Sequence, residues 1–144
     1  MIERNDVLWA QRVIDRWAIK KAVPTPMVTT IATGDEIPLS GYLDSTIIVN
    51  GKAWNKNDIL GKLLLLADAF SYHVQHVSGV APDDEKASQL ACELVLLEIE
   101  LLADARGTNM TRVMNTKRIA DLDASLGGAA HMKRTGVPRF WRRS

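Results

Sequence analysis

The chain has 144 residues, of which 47% are hydrophobic and 24% are charged, a composition typical of one globular domain and not of a disordered chain. The formal net charge of +1 excludes a polycation, and the single cysteine, Cys92, excludes an intrachain disulfide and a cysteine-rich zinc site. No apolar run is long enough to span a membrane, and the first residues lack the apolar core of a signal peptide. We therefore expect a soluble, cytoplasmic protein, where the cytoplasm includes that of a host cell, or a protein of a virion.

The first predicted helix covers residues 7–22, because apolar side chains recur there at the spacing of one helix face. Asn5 and Asp6 precede it and have the short acceptor side chains that cap helix N-termini. Pro24 and Pro26 follow it and prevent its continuation, since proline lacks the backbone N–H donor.

A small antiparallel sheet is predicted next, because residues 27–32 and 45–49 are rich in β-branched side chains. Asn50-Gly51 lies between two short candidate strands, and both residues tolerate the positive φ of a type I′ turn. The sequence therefore predicts a β-hairpin near residues 45–54, with Asn50-Gly51 as its turn.

The segment 59–77 is predicted to be the central helix of the fold. Asp58 precedes it as an N-cap residue, and Gly79 follows it in a position that suits the left-handed conformation. Residues 63–67 are apolar on every side of the helix, and such a helix is normally buried. We expect the other elements to cover it.

Two further helices are predicted over residues 84–105 and 110–126, the second ending at Gly127-Gly128. The predicted fold class is thus mainly α, with about four helices around a central buried helix and a small antiparallel β-hairpin. We expect residues 1–128 to form a single helical domain and residues 129–144 to form a basic, aromatic C-terminal tail.

His73 and His76 form the one candidate metal site. They lie three residues apart near the end of the central helix, so both imidazoles fall on one face and can share an ion. Glu93 or Glu100 on the following helix would complete a histidine–carboxylate cluster. The competing interpretation is that the two histidines are interface side chains favoured by the C-terminal end of the helix dipole.

The other polar residues do not indicate a catalytic site. Glu98 borders the apolar stripe of its helix and is expected to pair with a basic residue of a neighbouring helix. Cys92 lies near the same stripe and is interpreted as a small buried hydrophobe, because no histidine follows it in a nucleophile arrangement. The glycines match no phosphate-binding fingerprint, and no cofactor is predicted.

The C-terminal tail, residues 129–144, departs most from an ordinary composition. Basic residues alternate there with two aromatic side chains, and no acidic residue offsets them. Such side chains neutralise phosphates and stack on bases, or fill pockets of a protein partner. The candidate nucleic-acid-binding or partner-binding residues are Lys133, Arg134, Arg139, Phe140, Trp141, Arg142 and Arg143. The alternative is a solubilising tail whose aromatic rings fold back onto the core.

Two functional hypotheses follow. The main one is a non-catalytic binding or assembly protein, a homo-oligomer that contacts nucleic acid or a partner subunit through its tail. Its layout is compatible with small viral or phage structural and accessory proteins, although no diagnostic motif supports that likeness. The alternative is a metal-dependent enzyme built on His73, His76 and a carboxylate between antiparallel helices.

Overall fold

The computed structural model describes residues 4–31, 40–106 and 112–127 of the chain. Helices account for 72% of these residues, and a small three-stranded mixed sheet completes the described part, which confirms a mainly α fold. In chain order the elements are α1 (Arg4–Lys21), β1 (Met27–Ile31), β2 (Ser40–Leu43), β3 (Thr46–Asn50), α2 (Gly51–Lys56), α3 (Ile59–Val77), α4 (Asp84–Arg106) and α5 (Arg112–Ser125).

Helix α3 spans the range predicted from the sequence and buries most of its length. The Asp58 carboxylate accepts a hydrogen bond from the Gly61 N–H at 3.0 Å and so caps the N-terminus. At the other end Gly79 has a φ of +70°, the left-handed conformation that glycine adopts without strain. All eleven residues from Leu63 to His73 are buried. The helix contacts each of the other four helices and strands β2 and β3.

The helices that pack against α3 contribute apolar side chains to the core from both sides. From α1, the buried ring of Trp17 contacts that of Phe70, with the ring centroids 5.9 Å apart. From α4, Leu94 and Val95 are fully buried in the same core. Among the helices of the described residues, none is long and apolar enough to cross a membrane.

The sheet has the strand order β1-β3-β2, with β3 in the middle. Strand β1 pairs with β3 in parallel, and β2 pairs with β3 antiparallel. Ile47 and Val49 alternate along β3 and are both buried, since successive strand residues point to opposite faces. The sheet is therefore mixed and not the purely antiparallel one that was predicted. Strand β3 lies between β1, with which it pairs in parallel, and β2, its antiparallel hairpin partner.

The Asn50-Gly51 turn predicted from the sequence is wrong. Asn50 ends β3, and Gly51 begins α2, so this dipeptide is a strand-to-helix junction. The Asn50 side chain accepts a hydrogen bond from the Lys52 N–H at 2.9 Å, as an N-cap residue does. Trp54 consequently lies in α2, where its buried ring meets that of Trp9 at 6.0 Å.

The hairpin exists, but its turn lies at Asp44-Ser45, between β2 and β3. These residues have φ values of +43° and +62°, and two consecutive positive φ values are what a type I′ turn requires. Asparagine-glycine is the commoner dipeptide for this turn, which explains why the sequence pattern pointed to the wrong position.

Leu66→Ala is expected to lower the free energy of unfolding by about 2–5 kcal/mol, because Leu66 is fully buried and its truncation leaves a cavity. Ile59→Ala is the matched control on the same helix, since Ile59 is 51% exposed and should lose far less. Urea denaturation of both variants makes the comparison. Equal losses would show that Leu66 does not lie in the core.

Ser45→Gly is expected to raise the free energy of unfolding by about 0.5–1 kcal/mol, because glycine adopts positive φ without the steric cost that an L side chain meets. Ser45→Val should lower it, since a β-branched residue resists that conformation. Gly51→Val separates the two turn assignments: a loss larger than that of Ser45→Val would favour a turn at Asn50-Gly51. Thermal melts of the three variants provide the measurement.

Candidate functional site

The two predicted site histidines converge on one tyrosine hydroxyl. Nδ1 of His73 and Nδ1 of His76 each lie 2.8 Å from the Tyr42 hydroxyl oxygen. Nε2 of His73 lies 2.7 Å from the Pro24 carbonyl oxygen, and the Ser45 N–H donates to the Tyr42 hydroxyl at 2.9 Å. This cluster, which we call the tyrosine hub, joins α3 to the β2–β3 turn and to the segment before β1.

The hydrogen bonds of the tyrosine hub assign its protons. A carbonyl oxygen only accepts, so Nε2 of His73 carries a hydrogen and donates it to Pro24. Nδ1 of a neutral His73 then accepts the Tyr42 hydroxyl proton. Since that proton is used, Nδ1 of His76 donates to the Tyr42 oxygen. Burial lowers the pKa of His73 and raises that of Tyr42, which keeps both groups neutral.

This geometry favours a structural role for the histidine pair over a metal centre. Both ring nitrogens of His73 are engaged in hydrogen bonds, so no lone pair is left for an ion. Within residues 4–31, 40–106 and 112–127 no group of three or more histidine, cysteine or acidic side chains could hold a metal ion. The two carboxylates considered as further ligands pair with cations instead: Glu93 with Lys21 at 3.7 Å, and Glu100 with Arg112 at 2.7 Å.

A second cluster of titratable groups lies among α3, α4 and α5. Asp68 of α3 is fully buried, and Asp123 of α5 is 5% exposed. Burial raises the pKa of Asp68 well above its usual range, and charge repulsion from Asp123 raises it further. Cys92 of α4 lies beside them, and burial together with the two acidic groups raises the pKa of its thiol to about 12. Two buried acidic groups and one partly buried thiol thus lie at one place.

Asp123 and Cys92 also line a groove of about 850 Å³ between α4 and α5, which we call the acid groove. The Arg112–Glu100 ion pair joins the start of α5 to the end of α4, and Gly127 lies near Glu85 at the opposite end, so the two helices run antiparallel. The residues that line the acid groove are Glu85, Ser88, Gln89, Cys92, Glu93, Leu96, Arg112, Thr116, Ala120, Asp123, Ala124 and Gly127. A ligand in this groove would meet a lining whose exposed area is more apolar than polar, with acidic side chains set into it.

Glu98 behaves as predicted and pairs with a basic residue of a neighbouring helix. Its carboxylate is nearly buried and accepts hydrogen bonds from the Arg16 guanidinium of α1. The Glu98 side chain is only 5% exposed whereas that of Arg16 is 48% exposed, so this pair connects α1 to α4 at the edge of the core. The predicted tail residues, 129–144, lie outside the described residues.

Two site residues were missed from the sequence, Tyr42 and Asp123. Nothing in the sequence near Tyr42 distinguishes it from an ordinary strand residue, because its partners come from α3. Asp123 could have been found, since Asn115, Ile119 and Asp123 recur every four residues and all three are buried. A polar residue in such a stripe indicates a group that faces the core.

His73→Gln is expected to reduce the pH dependence of stability between about pH 5.5 and 7.5. The His73 pKa is lower in the folded protein, so the unfolded chain binds its proton more readily. The free energy of unfolding should therefore fall as the pH falls through the ordinary histidine range, and this slope should be smaller in the variant. Urea denaturation at several pH values measures it.

His131→Gln is the matched control, because it removes a histidine that the tyrosine hub does not contain. The control should keep the slope of the parent protein. An unchanged slope in His73→Gln would show that His73 is not held neutral by the hub.

The tyrosine hub and the acid groove are interpreted from their geometry alone. The hub is an internal hydrogen-bonded cluster, whereas the acid groove has the volume to admit a side chain or a peptide segment. Comparison of the chain with family models, with curated proteins and with solved structures gives no match.

Proposed function

We propose that this protein is a non-catalytic binding or assembly protein that forms homo-oligomers through its basic, aromatic C-terminal tail. The observation that carries the proposal is the uneven distribution of charge along the chain. The tail holds five of the eighteen basic residues and none of the seventeen acidic ones, so residues 1–128 carry 13 basic and 17 acidic side chains. Their formal net charge is −4, whereas the tail carries +5.

This distribution favours a second copy of the chain as the partner. A body of net charge −4 attracts the positive tail of another copy and repels a polyanion such as nucleic acid. The aromatic side chains Phe140 and Trp141 would add apolar contact area, since aromatic residues and arginine are enriched where partners bind most tightly. Nucleic acid, the other partner considered for the tail, is thus the less favoured one.

Exposed apolar side chains at one end of the α4/α5 pair also support self-association. Leu101, Val113 and Met114 are 59%, 79% and 57% exposed. They lie next to the ion-paired residues Glu100 and Arg112, so they occupy the same end of the two helices. Burial of such side chains against another subunit would be favourable, because apolar area would be removed from water.

The single cysteine agrees with a reducing compartment, and we propose the cytoplasm as the location.

The metal-dependent enzyme is the less favoured function. His73 directs both ring nitrogens to hydrogen-bond partners, and the described residues supply no third ligand.

Self-association through the tail is tested with a full-length triple variant that removes three tail charges. Its substitutions are Arg139→Gln, Arg142→Gln and Arg143→Gln. Self-association should weaken by about tenfold, because each exposed ion pair contributes about 0.2–1 kcal/mol. The matched control removes three exposed charges from the helices: Lys20→Gln, Lys117→Gln and Arg118→Gln. It changes the net charge equally and should keep the association. Multi-angle light scattering over a range of concentrations measures both.

Nucleic acid is the competing partner. The binding of the parent protein and of the tail variant to single-stranded RNA and DNA is therefore measured at several salt concentrations. Affinity for nucleic acid that falls steeply with salt and is lost only in the tail variant would assign the tail to nucleic acid. If in addition the oligomeric mass of the tail variant equals that of the parent, self-association through the tail is refuted.

A further inference from the structure

Next to the acid groove lies a buried carboxyl group, Asp68, for which the described residues provide no well-formed hydrogen bond. Asp68 is 0% exposed, and among the described residues neither of its carboxyl oxygens has a partner that meets strict hydrogen-bond geometry, although the Asp123 carboxyl group lies close enough to interact with it and raises its pKa. A buried carboxyl group without a partner is costly, since it loses its bonds to water and gains none. It lies behind Asp123, which lines the groove, so two acidic groups meet at the groove floor.

The two neighbouring acidic groups, Asp68 and Asp123, favour a positively charged ligand at this position. A cation above Asp123 would offset the repulsion between the two acids and favour the ionised form of Asp68. The groove wall adds the carboxylates of Glu85 and Glu93, of which Glu93 already pairs with Lys21 at 3.7 Å, and one cationic side chain, Arg112, which pairs with Glu100. A guanidinium suits two neighbouring carboxyl groups better than a point charge, because its planar fork donates several hydrogen bonds.

We propose that the acid groove is the docking site for the C-terminal tail of a second copy of this chain, with a tail arginine above Asp123 and Asp68. This inference rests on the proposed function, self-association through the tail, and identifies the surface that receives it. The acidic side chains of the groove and the basic tail carry opposite charges, and the ion pairs formed among the described residues do not include Asp68.

The length of the chain beyond the described residues is sufficient for this contact. Seventeen residues, 128–144, follow Gly127, which lies at one end of the groove. An extended segment of that length spans up to about 58 Å, whereas helix α5, with 14 residues, is about 21 Å long. A tail that leaves one copy at Gly127 can therefore follow the whole groove of a neighbouring copy.

Cys92 makes the contact measurable, because it is the only cysteine of the chain and lines the acid groove. Ser144→Cys adds a second thiol at the end of the tail of the full-length protein. Equal amounts of isotopically labelled and unlabelled chains are mixed and oxidised with copper–phenanthroline at mildly alkaline pH. Mass spectrometry of the digested protein then identifies the cross-linked peptides and shows whether they come from one chain or from two.

The expected product is a disulfide between Cys92 of one chain and the new cysteine of another chain. Cys92→Ser combined with Ser144→Cys is the control that removes this product and leaves only tail-to-tail disulfides. Cross-links confined to single chains would overturn docking between copies. A yield of the product no higher than that at high salt, where the charges are screened, would overturn the groove as the docking site.

The contribution of the acid groove is tested with Asp123→Asn in the Ser144→Cys background. The amide keeps the shape of the side chain and removes its charge, so the yield of the Cys92 cross-link should fall by about tenfold. Asp121→Asn is the matched control, because Asp121 is exposed on the same helix, and it should keep the yield. Equal yields in the two variants would refute the role of Asp123.

Two measurements keep the outcome interpretable. Circular dichroism shows whether Asp123→Asn is folded, and the tail variant with three arginines replaced tests the same contact from the other side without altering the helices. Light scattering separates the two proposals: if association depends on the tail while Cys92, shown to react with a small-molecule disulfide in the folded protein, is never cross-linked to the tail, the proposed function stands and the acid groove is not the docking site.

Discussion

Helix α3 is covered on every side, and this burial sets the requirements for the rest of the structure. The eleven residues from Leu63 to His73 are all buried, so each neighbouring element must present an apolar surface to them. The same burial removes water from the polar side chains of the helix, and each of these needs a partner within the protein. The positions of Pro24 and Tyr42 meet that need for His73.

The polar residues of α3 meet this requirement to different degrees. Ser71 donates to the Ala67 carbonyl oxygen one turn earlier, at 2.7 Å, and so needs no other element. His73 obtains partners from two segments outside the helix, Tyr42 and Pro24. Asp68 has no well-formed hydrogen bond among the described residues, and it borders the acid groove. The tyrosine hub and the buried acid beside the acid groove thus both result from the burial of polar side chains on α3.

Much of the helical architecture could be predicted from local patterns. Asp58 and Gly79 mark the ends of α3 by their capping chemistry, and Glu98 was correctly expected to pair across a helix contact. The hairpin turn was misplaced because Asn50-Gly51 and Asp44-Ser45 both suit positive φ, and only the pairing of Leu43 with Thr46 distinguishes them. The role of Tyr42 depends on residues far along the chain, which local patterns do not reveal, whereas the four-residue spacing of Asn115, Ile119 and Asp123 marks Asp123 as facing the core without revealing its neighbour Asp68.

The sequence by itself determined the four longer helices, that residues 63–67 of α3 are apolar on every side, and that positive charge concentrates in the tail, because these depend on residue type and short-range spacing. Only the tertiary structure decided that β1 pairs in parallel with β3, that His73 and His76 meet at Tyr42, and that Asp68 and Asp123 lie at one groove. These contacts join residues between 19 and 55 positions apart in the chain. Such distant residues meet through the packing of whole elements, which the spacing within any one segment does not specify.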